Sequence, residues 1–226
     1  MKKLITPTAL FLLLALSSPT DASLMAIWDF GPDAAGYTLN VTTENVVGTP
    51  TLVAANAEYD VDGKDGYPYR DAAGTFHDAG QAVGWNDVSG AGANDAYWIM
   101  TINTTGWQDM TIRWDHLSDN TGANLGPTSF DLHYRVGSGT WIPILNDNSI
   151  KRDDTWWEFS HDLSSITAIE NQSDVYFRVS DLNQEGTTRP DGSYRFDNLE
   201  LTGVPEPATV LLLGLGSLAL LRRKRG

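Results

Sequence analysis

The sequence predicts an all-β protein: a single β-sandwich, with a jelly-roll as the leading topology, flanked by an N-terminal signal peptide and a C-terminal transmembrane helix. Three observations predict it. Apolar residues alternate with polar ones in run after run, clusters of turn residues separate the runs, and no amphipathic helix of useful length interrupts them. One aromatic-rich core closed by short strands is a sandwich rather than an α/β fold.

Taken in order, Ala26 to Phe30 is the first strand, and the stretch from Leu24 to about Gly92 is Gly/Asp-rich and less regular. Ala96 to Ile102 is apolar on both sides and is expected inside a sheet. Met110, Ile112 and Trp114 alternate with Thr111, Arg113 and Asp115. Phe130, Leu132, Tyr134 and Val136 alternate with Asp131, His133 and Arg135. Trp157, Phe159 and Leu163 alternate with Glu158, Ser160 and Asp162, and Val175, Phe177 and Val179 with Tyr176, Arg178 and Ser180. Side chains two apart share a face, so each set has one buried and one outward row. Ser164 to Asn171 has room for one short turn, and Tyr194 to Leu201 is the last strand. Asn120-Thr121-Gly122, Gly137-Ser138-Gly139 and Arg189-Pro190-Asp191-Gly192 mark turns. The count is nine or ten strands.

The two ends are addresses rather than fold. Met1-Lys2-Lys3, the apolar run Leu4 to Leu16 and the small residues up to Ala22 form a signal peptide over residues 1–22. At the other end stand Val204-Pro205-Glu206-Pro207, an uncharged apolar run from Ala208 to Leu221, and Arg222-Arg223-Lys224-Arg225. Pro205 and Pro207 stop a helix from running back through them. The run spans roughly 21 Å as a helix, against a bilayer core of about 30 Å. The terminal arginines can snorkel and hold the basic end cytoplasmic.

These three parts in this order resemble a PEP-CTERM sorting signal, over residues 204–226. The resemblance implies export, a precursor anchored in the inner membrane, recognition by a membrane-embedded exosortase, and cleavage near Pro205-Glu206-Pro207. It places the mature form at the cell surface or outside the cell, in bacteria that make exopolysaccharide. The body, residues 24–203, also resembles the ectodomains attached to such tails, through Ile27-Trp28-Asp29-Phe30-Gly31, Gly126-Pro127-Thr128-Ser129-Phe130, Tyr176-Phe177-Arg178 and Tyr194-Arg195-Phe196-Asp197-Asn198-Leu199.

Residues 24–203 hold 9 Lys and Arg against 27 Asp and Glu, a formal net charge of −18. Such a surface repels nucleic acid and anionic lipid, leaving the C-terminal helix as the only membrane contact. No Cys is present, so thiol, zinc-thiolate and iron–sulfur chemistry are excluded and no disulfide holds the domain.

An exported domain without disulfides invites a structural calcium. Asp60-Val61-Asp62-Gly63-Lys64-Asp65-Gly66 is acidic and glycine-punctuated, so Asp60, Asp62 and Asp65 are either calcium ligands or part of a solvated turn. Phe196, Leu199 and Leu201 can all face inward only if the strand slips at Asp197-Asn198. A bulge there offers Asp197 and Asn198 as a second site, joined by Asp29 or Asp33; the alternative is a bulge satisfied by its own backbone. Arg113, His133, Arg135, Tyr176 and Arg178 are outward partners of buried residues and form either a candidate face for acidic sugars or a merely solvated row. Trp141 or Trp156 would stack on a pyranose ring there.

Catalysis has little support. His77, His116, His133 and His161 lack metal-type spacing, no Gly-x-Ser-x-Gly elbow or phosphate loop is present, and Glu158 is the one acid of interest in a firm strand. The expectation is a non-enzyme: an exported, exosortase-sorted surface or matrix protein with a structural or adhesive sandwich. The alternative is a carbohydrate-binding module with a structural calcium, its partner an exopolysaccharide, and a glycoside hydrolase stands third.

Overall fold

The computed structural model describes residues 21–30, 40–43, 46–55, 58–59, 69–70, 76–77, 82–85, 97–121, 124–183 and 194–206. The expected signal peptide up to residue 20, Asp33, the loop carrying Asp60, Asp62 and Asp65, and the tail from Pro207 through Arg222, Arg223, Lys224 and Arg225 lie outside the described residues.

The strands are β1 (Ser23–Asp29), β2 (Asn40–Thr43), β3 (Thr51–Ala55), β4 (Glu58–Tyr59), β5 (Tyr69–Arg70), β6 (Phe76–His77), β7 (Val83–Trp85) and β8 (Tyr97–Ile102). They continue with β9 (Trp107–Ser118), β10 (Asn120–Thr121), β11 (Asn124–Leu125), β12 (Ser129–Val136), β13 (Ile142–Ser149), β14 (Trp157–Asp162), β15 (Val175–Asn183) and β16 (Tyr194–Pro205). One 3₁₀ turn, Thr167–Ile169, is the short turn expected after Ser164. The excess over nine or ten comes from the two- to five-residue strands, β2 to β7 and the β10–β11 pair, where alternation is too brief to read.

Two sheets make the sandwich. One has seven strands, in the order β14-β9-β16-β1-β2 with β7 also on β16 and β4 on β7; the other has five, in the order β13-β12-β15-β8-β3. β8 is internal, as expected, but only Trp98, Met100 and Ile102 are buried while the other row is half-exposed. Its second apolar row therefore lies on an outward face.

Aromatic rings join the sheets. Trp98 of β8 meets Trp114 of β9 edge-on at 5.4 Å, and Trp114 meets Phe130 of β12 at 5.3 Å. Trp28, Trp98, Trp114, Tyr194, Phe130, Phe177 and Phe196 are all fully buried. Each ring pair adds about 0.5–1.5 kcal/mol beyond its burial, which matters in a domain without disulfides. Gly203 permits the closest approach. A Cβ there would stand 2.9 Å from Met25 Sδ and 3.1 Å from Met110 Cγ, so the β16 backbone lies directly on the core.

The slip at Asp197-Asn198 is present. The β16–β9 register shifts between Asp197 and Glu200, and Asn198 has φ 51°, in the left-handed region that Asn tolerates. Phe196, Leu199 and Leu201 are all buried as a result.

Candidate functional site

The outward face of the five-stranded sheet gathers four of the five residues expected to cluster. β12 and β15 run antiparallel with His133 opposite Arg178 and Arg135 opposite Tyr176. Their inward neighbours Leu132, Tyr134, Phe177 and Val179 fix this facing by being buried. After β12, Gly137 turns with φ 54° and the chain returns through Trp141 into β13. Trp141 thereby lies over the neighbouring strands. The guanidinium carbon of Arg135 is 4.7 Å from the Trp141 ring centre and 4.2 Å from that of Tyr176; Arg178 is 4.7 Å from Trp141. One indole is thus shared by two cations.

No ion pair among the described residues neutralises these cations, and Arg135 Nε, Arg178 Nε and His133 Nδ1 are buried without a hydrogen-bond partner. Burial, then the charge of Arg178, pushes the His133 pKa down, against opposing pulls from Asp131 and Asp181. His133 is neutral at neutral pH and offers a donor and an acceptor. Beyond Arg178 the row continues through Ile99 to Val53, which is 56% exposed. The face combines two oriented guanidinium planes, an indole and an apolar shelf. Such planes can hold a carboxylate or sulfate in a forked geometry, and the rings can take the face of a sugar.

Arg113 does not belong to this face, which corrects the expected cluster. It lies on β9, in the seven-stranded sheet, because the chain crosses between sheets after β8. There it bonds Glu158 at 3.0 Å and Glu200 at 3.2 Å, with Asp115 at 3.9 Å. Trp156 is half-buried and is not among the rings over Arg135 or Arg178.

The Asp197-Asn198 bulge makes one bond within itself and one to β9. The Asn198 backbone N–H donates to Asp197 Oδ1 at 2.7 Å, and the Asn198 amide donates to Asp115 Oδ2 at 2.9 Å. Burial raises the Asp115 pKa, opposed by the Asn198 bond and by Arg113. Among the described residues no three acids or histidines converge to hold a metal. Asp29 contributes its backbone to β1, opposite Asn40.

Asp115 and Glu200 carry no role in the sequence reading. Arg113 and Asp115 are two apart in one strand, a same-face signal that could have paired them. Glu200 comes beside Arg113 only through the β16–β9 register, which no local pattern announces.

The described part of the tail is not free of the sandwich. Val204 pairs with Gln108 and Pro205 with Trp107, and the Glu206 N–H donates to the Gly106 carbonyl at 2.8 Å. The Glu206 carboxylate accepts a bond from the Asn171 amide.

Fold and faces define an all-β, two-sheet sandwich protein with a cationic, aromatic outer face. Its C-terminus carries the PEP-CTERM protein-sorting motif, matched over residues 203–225. That motif implies export, processing by an exosortase and sorting to the surface. No curated protein matches the chain. Among solved structures, it is similar to the CBM22-1 xylan-binding domain from Paenibacillus barcinonensis Xyn10C, at 10% identity over 83% of this chain and 99% of that one, with a TM-score of 0.39. It is also similar to the K2 cleaved adhesin domain of Lys-gingipain, at 13% identity over 80% and 97% of the two chains, with a TM-score of 0.35. At these scores the likenesses say nothing about what this chain binds.

Proposed function

We propose that this is an exported surface protein whose sandwich adheres to an acidic polysaccharide of the extracellular matrix through the outer face of the five-stranded sheet. Trp141, Arg135, Arg178, His133 and Tyr176 form the contact. The supporting observation is the Trp141 ring held 4.7 Å from two guanidiniums, neither of which has an ion pair among the described residues. The formal charge of −18 opposes a polyanion at long range, so these two cations act at contact, where forked bonds and ring stacking add to their charge. The chain alternates between the sheets at β8–β9, β13–β14, β14–β15 and β15–β16, which supports a jelly-roll reading.

The test is calorimetric titration of the mature domain with polygalacturonate and with neutral xylan. Binding to the polyuronate, weakened by salt and reduced roughly tenfold or more in Trp141→Ala at unchanged melting temperature, is the expected result. Equal binding of both polymers would replace the anionic reading with a neutral one. Absence of binding to either at millimolar sugar would leave the sandwich a purely structural role.

A further inference from the structure

We propose that the folded sandwich holds its own sorting motif shut, and that the precursor is processed only when the end of β16 peels away from β9. This inference concerns the motif, not the glycan face. A peptidase takes its substrate as an extended strand with free backbone groups. In the folded chain those groups are already engaged: Val204 and Pro205 lie in register with Gln108 and Trp107, and the Glu206 N–H is bonded to the Gly106 carbonyl.

Asn171 is the catch. Its amide holds the motif glutamate, and its Oδ1 accepts the Gly106 N–H at 2.8 Å. It sits at φ 54°, and Gly106 at φ 81°, both in the left-handed region. The catch is itself braced. The buried Thr104 hydroxyl donates to the Ile169 carbonyl at 2.6 Å, and Thr104 exchanges bonds with Gln172. One residue, Pro207, separates the clamped Glu206 from the apolar run that begins at Ala208. While the clamp is closed, only Pro207 is left as spacer between the folded sandwich and the apolar run. Releasing residues 204–206 adds about 10 Å of extended chain.

The experiment uses the full precursor in cells that express the exosortase. Asn171→Gly keeps the left-handed backbone and removes the side chain. Pulse-chase should show processing about fivefold faster, with a matching rise in hydrogen exchange at the Glu206 amide of the purified precursor. Processing that is unchanged or slower despite faster exchange overturns the proposal. A second variant does not depend on that one folding well. The chain has no Cys, so Gln108→Cys with Val204→Cys places one pair across the β9–β16 register. The oxidised form should resist processing and the reduced form should recover it. Equal processing of the two forms would also overturn the proposal.

Discussion

The two sheets carry outward arginines in very different company. On the seven-stranded sheet, Arg113 stands among Glu158, Glu200 and Asp115, with Glu200 and Asp115 almost wholly buried. On the five-stranded sheet, Arg135 and Arg178 stand against the rings of Trp141 and Tyr176. All three arginines occupy the same place in a strand's alternation, so the difference is one of partners. Acids beside Arg113 make it part of what holds the domain; rings beside the other two orient their charge without cancelling it.

That contrast can be broken most forcefully at Arg113. Arg113→Ala leaves Glu200 and Asp115 buried without its charge and should destabilise the domain by about 3 kcal/mol. Chemical denaturation checks this, and polyuronate affinity of the variant's folded fraction should not change. A loss of affinity with intact stability would erase the distinction between the faces.

Acid sharpens the same contrast. His116 of β9 is buried on the inner side of the seven-stranded sheet, stacked on Tyr194 at 5.9 Å, and burial lowers its pKa to about 4. The native state therefore holds it neutral while the unfolded chain protonates near pH 6.5. Its contribution is complete above that value and is lost as pH falls toward 4. By pH 5 the loss is about 2 kcal/mol. Denaturation midpoints between pH 7 and 5 should show it, and His116→Phe should flatten that slope. The His133 pKa is lowered in the same direction, so its loss adds to the trend.

The smallest effect belongs to shape rather than charge. Arg178→Lys keeps the cation but loses the planar fork over Trp141, so polyuronate affinity should fall about threefold with stability within about 0.5 kcal/mol. Titration and thermal melts decide it. An affinity equal to the parent would mean that net charge alone attracts the polymer.

Much of this architecture was legible in the sequence because strands announce themselves at period two. The rows through Met110-Ile112-Trp114, Phe130-Leu132-Tyr134 and Val175-Phe177-Val179 were read with the correct side inward. The Asp197-Asn198 slip was legible as well, since three apolar residues could share a face only through a bulge. What could not be read was which sheet each strand joins. Alternation gives a face, not a neighbour, so Arg113 was grouped with His133 and Arg178 although β9 and β12 lie in opposite sheets. The pairings of Asn171 are hidden for a related reason: it holds Gly106 and Glu206 across gaps of 65 and 35 residues, and such pairings are settled only by the closed fold.

The burial profile of β16 bears on what remains after processing. Residues Tyr194 to Leu201 are buried without a break, Gly203 is the last buried position, and Val204, Pro205 and Glu206 are only half-covered. Among the described residues the interior therefore ends at Gly203, where the matched motif begins. Trimming the chain beside those prolines sheds a label from a finished object, and the released domain should melt at nearly the temperature of its parent.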